Sequence, residues 1–238
     1  MLCRARTLPA WPAKDDMIPF KLIDTACWAG TTLKLYRRGE EFSIRVDKAG
    51  ELMNSRAHHS EEVLAELACA QIAGRSRPHL LVGGLGMGFT LASVLTHAAP
   101  DATVTVSELI PAVVSWNRQH MGGLAGFPLE DGRVQVLEQD VAQVMRSDQK
   151  FDAILLDVDN GPSSFTCDDN DALYGMQGLE RAYRALKPGG VLAIWSACTD
   201  PAFTRRMAKA GFDVTEQRVG SHNARRGNRH HIWIGVKN

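Results

Sequence analysis

The chain has 238 residues, enough for one sizeable core or one domain with a small appendage. Lys plus Arg and Asp plus Glu balance at 27 each, so no global field points to nucleic acid or to a membrane surface. Hydrophobic residues make up 45% and charged residues 23%, as in ordinary globular proteins, and no apolar run approaches the roughly 20 residues of a membrane helix.

Five cysteines (Cys3, Cys27, Cys69, Cys167, Cys198) are scattered, with no CxxC pair of the kind that holds zinc. They suit a reducing compartment, and the first residues carry Arg4 and Arg6 but no apolar leader segment. The cytoplasm is the expected location, and no metal is expected.

Residues 1–16 mix prolines, charges and one tryptophan without period and read as a loose tail; Met1 and Met17 are both compatible with a start. Residues 17–57 read as a small antiparallel β appendage. Thr32 to Arg38 alternates, Gly39-Glu40 turns, and Glu41 to Asp47 alternates again, which is a hairpin. Short flanking strands are expected over 22–25 and 51–54. A hairpin alone is marginal, so this appendage must pack on something, and a homodimer is the default expectation.

Residues 58–238 read as one α/β domain. Ser60-Glu61-Glu62 opens a helix, with Ser60 the expected N-cap and the acids suited to the helix dipole. His58 and His59 before it read as exposed. Residues 79–83 (HLLVG) form a strand, Gly84-Leu85-Gly86-Met87-Gly88 a glycine turn, the next apolar-periodic run a helix to Ala99, and 102–107 a second strand ending at Glu108. Pro111 starts a helix to about Met121, a loop spans 122–132, and a third strand covers 133–138. Asp140 follows, before a short helix from Val141. The near-continuous apolar run 151–157 is a fourth strand, suited to a sheet covered on both faces. A long polar loop leads to a helix over 172–186, stopped by Lys187-Pro188-Gly189-Gly190, and a fifth strand covers 191–195. A helix over 201–210 precedes a terminal antiparallel pair, 212–218 and 231–236. The basic residues Arg225, Arg226, Arg229 and His230 read as a solvated hairpin tip.

The stretch 79–108 carries the clearest chemistry. A turn that brings backbone against a ligand needs positions without Cβ, which Gly84, Gly86 and Gly88 provide. Glu108 lies twenty residues beyond Gly88, at the end of the next strand, where a carboxylate can accept hydrogen bonds from a ribose diol. The nucleoside site expected here comprises Gly84, Leu85, Gly86, Gly88, Glu108, Leu109, Asp140, Val141 and Asp157. Asp140 is placed for an adenine amino group, for capping the helix at Val141, or for both. Asp157 and Asp159 end the fourth strand at the same sheet edge and are the candidate catalytic carboxylates.

Strand and helix alternate and end in an antiparallel pair, an order that resembles the class I AdoMet-dependent methyltransferase fold: a Rossmann-like, doubly wound, mostly parallel sheet. The hairpin ahead of it, the Gly-Gly-x-Gly-x-Gly turn and the acids after strands two and four resemble the spermidine synthase (polyamine aminopropyltransferase) family over about residues 22–236. The resemblance implies ribose binding by Glu108, adenine contact by Asp140 and a reacting centre at Asp157, helped by Asp159. The chain departs from that family where Gly-Gly-Gly-Asp-Gly-Gly becomes Gly83-Gly84-Leu85-Gly86-Met87-Gly88. It departs again where Tyr-His-Glu becomes Ser60-Glu61-Glu62, and where Asp-x-x-Asp-Pro becomes Asp157-Val158-Asp159-Asn160-Gly161-Pro162. The family's upstream Gln has no clear match near Met53.

The expected cofactor is S-adenosylmethionine or its decarboxylated form, and the expected partner a small-molecule acceptor. The GxGxG form of the turn favours methyl transfer to that acceptor. Aminopropyl transfer to a diamine is the alternative, and a nucleoside-binding protein without transfer activity the second alternative.

Overall fold

A computed structural model describes residues 18–158, 173–220 and 229–238. The expected tail at 1–16, Asp159, the polar loop after it, Arg225 and Arg226 lie outside those residues. The chain divides into two units, Met1–Asn54 and Ser55–Asn238.

The first unit holds a four-stranded antiparallel sheet in the order β1 (Lys21–Trp28), β2 (Thr31–Arg38), β3 (Glu41–Val46), β4 (Gly50–Asn54). Alternation sets its register. Leu33, Leu35, Phe42 and Ile44 are buried on one face, with Leu35 paired opposite Ile44. Gly39 takes φ +59° in the turn between β2 and β3.

The second unit is built on a seven-stranded sheet in the order β10-β11-β9-β8-β5-β6-β7. Strands β5 (His79–Gly83), β6 (Thr103–Ser107), β7 (Val134–Leu137), β8 (Phe151–Leu156) and β9 (Leu186–Ser196) run parallel. The terminal pair β10 (Phe212–Gly220) and β11 (Arg229–Lys237) is antiparallel, and β11 joins β9 antiparallel. All six residues of β8 are buried, as its apolar run requires of a central strand. The core around it gathers Phe151, Ile154, Leu179, Phe203 and Trp233. The helices are α1 (His59–Gln71), α2 (Phe89–His97), α3 (Pro111–Trp116), α4 (Val141–Val144), α5 (Met176–Ala185) and α6 (Pro201–Lys209).

Several boundaries differ from the sequence expectation. The helix from Pro111 is α-helical only to Trp116; Asn117–Met121 widens into a π turn, and 3₁₀ turns at Gly122–Ala125 and Pro128–Glu130 fill the expected loop. The third strand ends at Leu137. Helix α5 starts at Met176, later than the expected 172, and stops at Ala185; Leu186 already belongs to β9, so Pro188-Gly189-Gly190 lies inside a strand start rather than after a helix. Arg229 and His230 are strand residues rather than a hairpin tip.

At the amino edge of the sheet a buried carboxylate ties three strands together. Asp152 accepts from Arg75 Nη1 at 2.8 Å, the His79 amide at 2.8 Å and Lys187 Nζ at 2.7 Å. Burial alone would raise its carboxyl; these donors outweigh burial and hold it below the usual carboxylate range. The opposite, carboxyl edge is where the sheet order reverses. From β5 the chain steps to β6 and β7, then returns across β5 to β8, which opens a crevice at the ends of β5 and β8.

Candidate active site

Backbone hydrogen bonds lock the carboxyl ends of the strands at this crevice. The Gly84 amide donates to Ser107 O at 2.9 Å, the Glu108 amide to Leu137 O at 2.9 Å and the Asp157 amide to Gly83 O at 3.0 Å. The turn after β5 uses glycine for two physical reasons. Gly84, Gly86 and Gly88 all have positive φ (+87°, +52° and +89°), and a Cβ at Gly84 would run into the backbone carbonyl of Asp157. Gly83 faces Val141 and Leu156, with room for no side chain. Gly88 caps α2 in the left-handed conformation without a capping side chain. The first amides of α2 therefore have no capping side chain.

Glu108 is 8% exposed, so it is not a solvated acid. Its Oε2 accepts from the Leu85 amide and its Oε1 from the Ile110 amide, both at 2.9 Å. Beside it Leu109 is 47% exposed, an apolar surface at the rim. Asp140 accepts from the Ala142 amide at 2.8 Å through Oδ1 and caps α4, the capping role expected of it. Val141 is buried behind the turn.

Asp157 accepts from Thr90 Oγ1 at 2.7 Å through Oδ2. Thr90 is buried in the first turn of α2. Loss of hydration raises the Asp157 carboxyl, and the Thr90 hydrogen bond partly offsets that rise.

The sequence misplaced the opening turn of α1. His58, not Ser60, is the N-cap residue, and it makes no side-chain cap. Ser60 is buried, its Oγ 2.7 Å from His230 Nδ1 and accepting from Trp195 Nε1 at 3.0 Å. The His230 and Trp195 rings meet edge to face at 4.7 Å. His58 is not freely exposed either: its ring stacks on Phe89 at 4.3 Å, and its Nδ1 lies 2.8 Å from Glu62 Oε1. Glu61, taken from sequence only as a dipole partner, has its Oε2 sealed from solvent with no hydrogen-bond partner among the described residues. Burial first, then the charges of Asp157 and Glu62, raise its carboxyl well above the usual range.

Asn117 is a further unforeseen member. Its Nδ2 donates to Gly86 O at 2.8 Å and Val113 O at 2.9 Å, bracing the glycine turn from the π turn behind it. Helix spacing marked neither Glu61 nor Asn117; only the tertiary fold brings them to the crevice. Among the described residues no group of His, Cys, Asp and Glu is arranged to hold a metal.

Part of the sequence, and most of the fold, is similar to known proteins. Polyamine aminopropyltransferase 2 of Pseudomonas aeruginosa is 34% identical over 123 residues, which is 50% of this chain. The matched stretch spans only 33% of that protein's length. Spermidine synthase in complex with the transition-state analogue AdoDATO superposes with a TM-score of 0.70 at 17% identity, over 91% of this chain and 72% of that one. Spermidine synthase from Thermotoga maritima gives 0.71 at 18% identity, over 91% and 73%. A probable spermidine synthase from Corynebacterium glutamicum ATCC 13032 gives 0.61 at 16% identity, over 90% and 79%.

The fold is spermidine synthase-like. No family model matches the chain. The described residues expected for a nucleoside site follow the carboxyl ends of β5, β6, β7 and β8, whereas Asp159 lies outside the described residues. Among the described residues no helix is long and apolar enough to cross a membrane.

Proposed function

We propose that the protein transfers an aminopropyl group from decarboxylated S-adenosylmethionine to an amine acceptor. The observation that carries this reading is the Asp157 carboxylate, which accepts from Thr90 beside Gly84 at the carboxyl edge of the sheet. Glu62, in the neighbouring α1 turn, adds negative charge on that side. An acidic crevice favours a donor whose tail ends in an ammonium and disfavours one that adds a carboxylate. The likeness to an aminopropyltransferase supports the same choice over the methyl transfer that the glycine pattern suggested.

In this reading the Glu108 carboxylate at the end of β6 accepts from the ribose diol. The first amides of α2 and the Gly84–Gly88 turn seat the nucleoside. Asp157 accepts a proton from the acceptor ammonium. The neutral nitrogen then attacks the donor's methylene carbon next to sulfur; a C–N bond forms as the C–S bond breaks, and the electron pair returns to sulfur as a neutral thioether. The protein supplies alignment and a base. Mass spectrometry after incubation with putrescine and each donor in turn tests this. A methylthio nucleoside with an aminopropylated amine from the decarboxylated donor is expected; a methylated amine from S-adenosylmethionine would overturn it.

A further inference from the structure

A cavity of about 200 Å³ lies between the π turn after α3 and the 3₁₀ turn at Pro128–Glu130, lined by Asn117, Arg118, Phe127, Leu129 and Glu130 among others. It includes none of the residues expected to bind the nucleoside. One wall is strained. Phe127 takes φ +58° and ψ +51°, a left-handed conformation costly for a residue with a side chain, and such strain gathers at sites that the surroundings over-determine. Here the Phe127 amide donates to Gly122 O at 2.7 Å, and its ring lies over Gly122, where a Cβ would come within 2.9 Å of it. The rim is charged and exposed. Arg118 and Glu130 face solvent, and neither side chain has a hydrogen-bond or ion-pair partner among the described residues. The inner end is buried and polar. Asn117 is 2% exposed, and its Nδ2 is taken by Gly86 O and Val113 O, which fixes the orientation of the amide. Its Oδ1 then has no hydrogen-bond partner among the described residues. A buried acceptor without a donor is costly, and an N–H brought in through the cavity would supply one.

We propose that this cavity binds a small zwitterion with an N–H-bearing aromatic side chain, the class of an indole α-amino acid. Its size sets the scale: about 200 Å³ is below the roughly 300 Å³ at which pockets for drug-sized ligands begin, which excludes a nucleotide. Its charges set the signs. A purely anionic ligand would meet Glu130 and a purely cationic one Arg118; a zwitterion matches both, with its carboxylate on the Arg118 fork and its ammonium on Glu130. The side-chain ring lies against Phe127 and Leu129, where apolar area and ring–ring contact favour it. Its N–H points inward and donates to Asn117 Oδ1. This site does not rest on the aminopropyl-transfer reading.

The test is calorimetric titration of the full-length protein with L-tryptophan and three analogues that each lack one group. Tryptamine lacks the carboxylate, indole-3-propionate the ammonium and L-phenylalanine the side-chain N–H. Saturable binding of L-tryptophan with a Kd at or below about 1 mM is expected, about tenfold tighter than that of each analogue. Arg118→Gln should weaken L-tryptophan and indole-3-propionate about tenfold and leave tryptamine unchanged. Glu130→Gln should weaken L-tryptophan and tryptamine and leave indole-3-propionate unchanged. Both positions are exposed, so both variants should melt like the wild type. No saturable binding of L-tryptophan by the wild type would overturn the site. So would a loss in either variant that is the same for every ligand, because the charges would then not be reading the ligand's own. L-phenylalanine binding as tightly as L-tryptophan would overturn the pairing of Asn117 Oδ1 with a ligand N–H, and the proposed class with it.

Discussion

Glu108 Oε2 accepts the Leu85 amide at 2.9 Å, so the acid expected to meet a ribose also fastens the glycine turn to the end of β6. Its Oε1 does the same for the Ile110 amide at the start of α3. If Glu108 also meets the ribose, binding and stability are coupled at one side chain that is 8% exposed. Glu108→Ala would leave two amides without their acceptor, at a cost of about 1–3 kcal/mol each if buried and dry, less where water enters. Urea unfolding should show a lower midpoint with an unchanged slope, and titration should show weaker binding of methylthioadenosine. A stable variant with wild-type nucleoside affinity would remove Glu108 from both roles.

The turn it fastens tolerates no side chain at Gly84. The position combines φ +87° with a Cβ position that collides with the Asp157 carbonyl. Backbone has no flexible end to swing away, so Gly84→Ala must displace either the turn or the strand end carrying Asp157. Loss of at least about 2 kcal/mol of stability and a fall in turnover of about a hundredfold are expected. Gly126 also has positive φ but nothing near its Cβ; Gly126→Ala should cost only about 1 kcal/mol and spare activity. Parallel thermal melts and product assays on the two variants separate the close approach from the strain.

The parts of this fold legible in the sequence are those set by local pattern. Period-two alternation gave β2 and β3, the apolar run gave β8, and the glycine spacing with Glu108 gave the crevice. Residues brought to the sheet edge by tertiary position were not legible. Glu61 and Ser60 sit in an ordinary helical turn, and nothing in their neighbours announces that Ser60 meets His230 across 170 residues of chain. Asn117 looked like one more position of an amphipathic helix; its π turn and its hold on Gly86 follow from packing. Pro188-Gly189-Gly190 misled in the other direction. It carried a helix-stop signal, but Gly190 is required because a Cβ there would press on the Lys187 and Asp152 carbonyls as β9 begins.

Asp152, at the edge away from the crevice, should govern acid stability without touching chemistry. Its carboxyl is held below the usual range, so its contribution is fully present above the unfolded value near pH 4 and is lost as pH falls through the lower folded value. Arg75 and Lys187 keep side-chain exposures of 27% and 38%, which discounts the pairs for solvent screening. Asp152→Asn should cost about 1–3 kcal/mol at pH 7. Denaturant midpoints should converge with those of the wild type below about pH 3. Equal midpoints at pH 7 would show that the three donors contribute nothing net.

Thr90 tunes the Asp157 carboxyl. Its hydroxyl donates to Asp157 Oδ2 at 2.7 Å and counters the rise that burial imposes. Thr90→Val keeps the shape and removes the donor, so the Asp157 carboxyl should rise further. A base must be ionised to take a proton, so a higher carboxyl pKa moves the acid limb of kcat/KM to higher pH. At pH 7 a loss on the order of tenfold is expected, shrinking as pH is raised, with methylthioadenosine affinity unchanged. If Asp157 only positions the acceptor, the loss will be the same at every pH. The profile of kcat/KM from pH 6 to 10, on wild type and variant with the decarboxylated donor and putrescine, therefore distinguishes a proton acceptor from a placeholder.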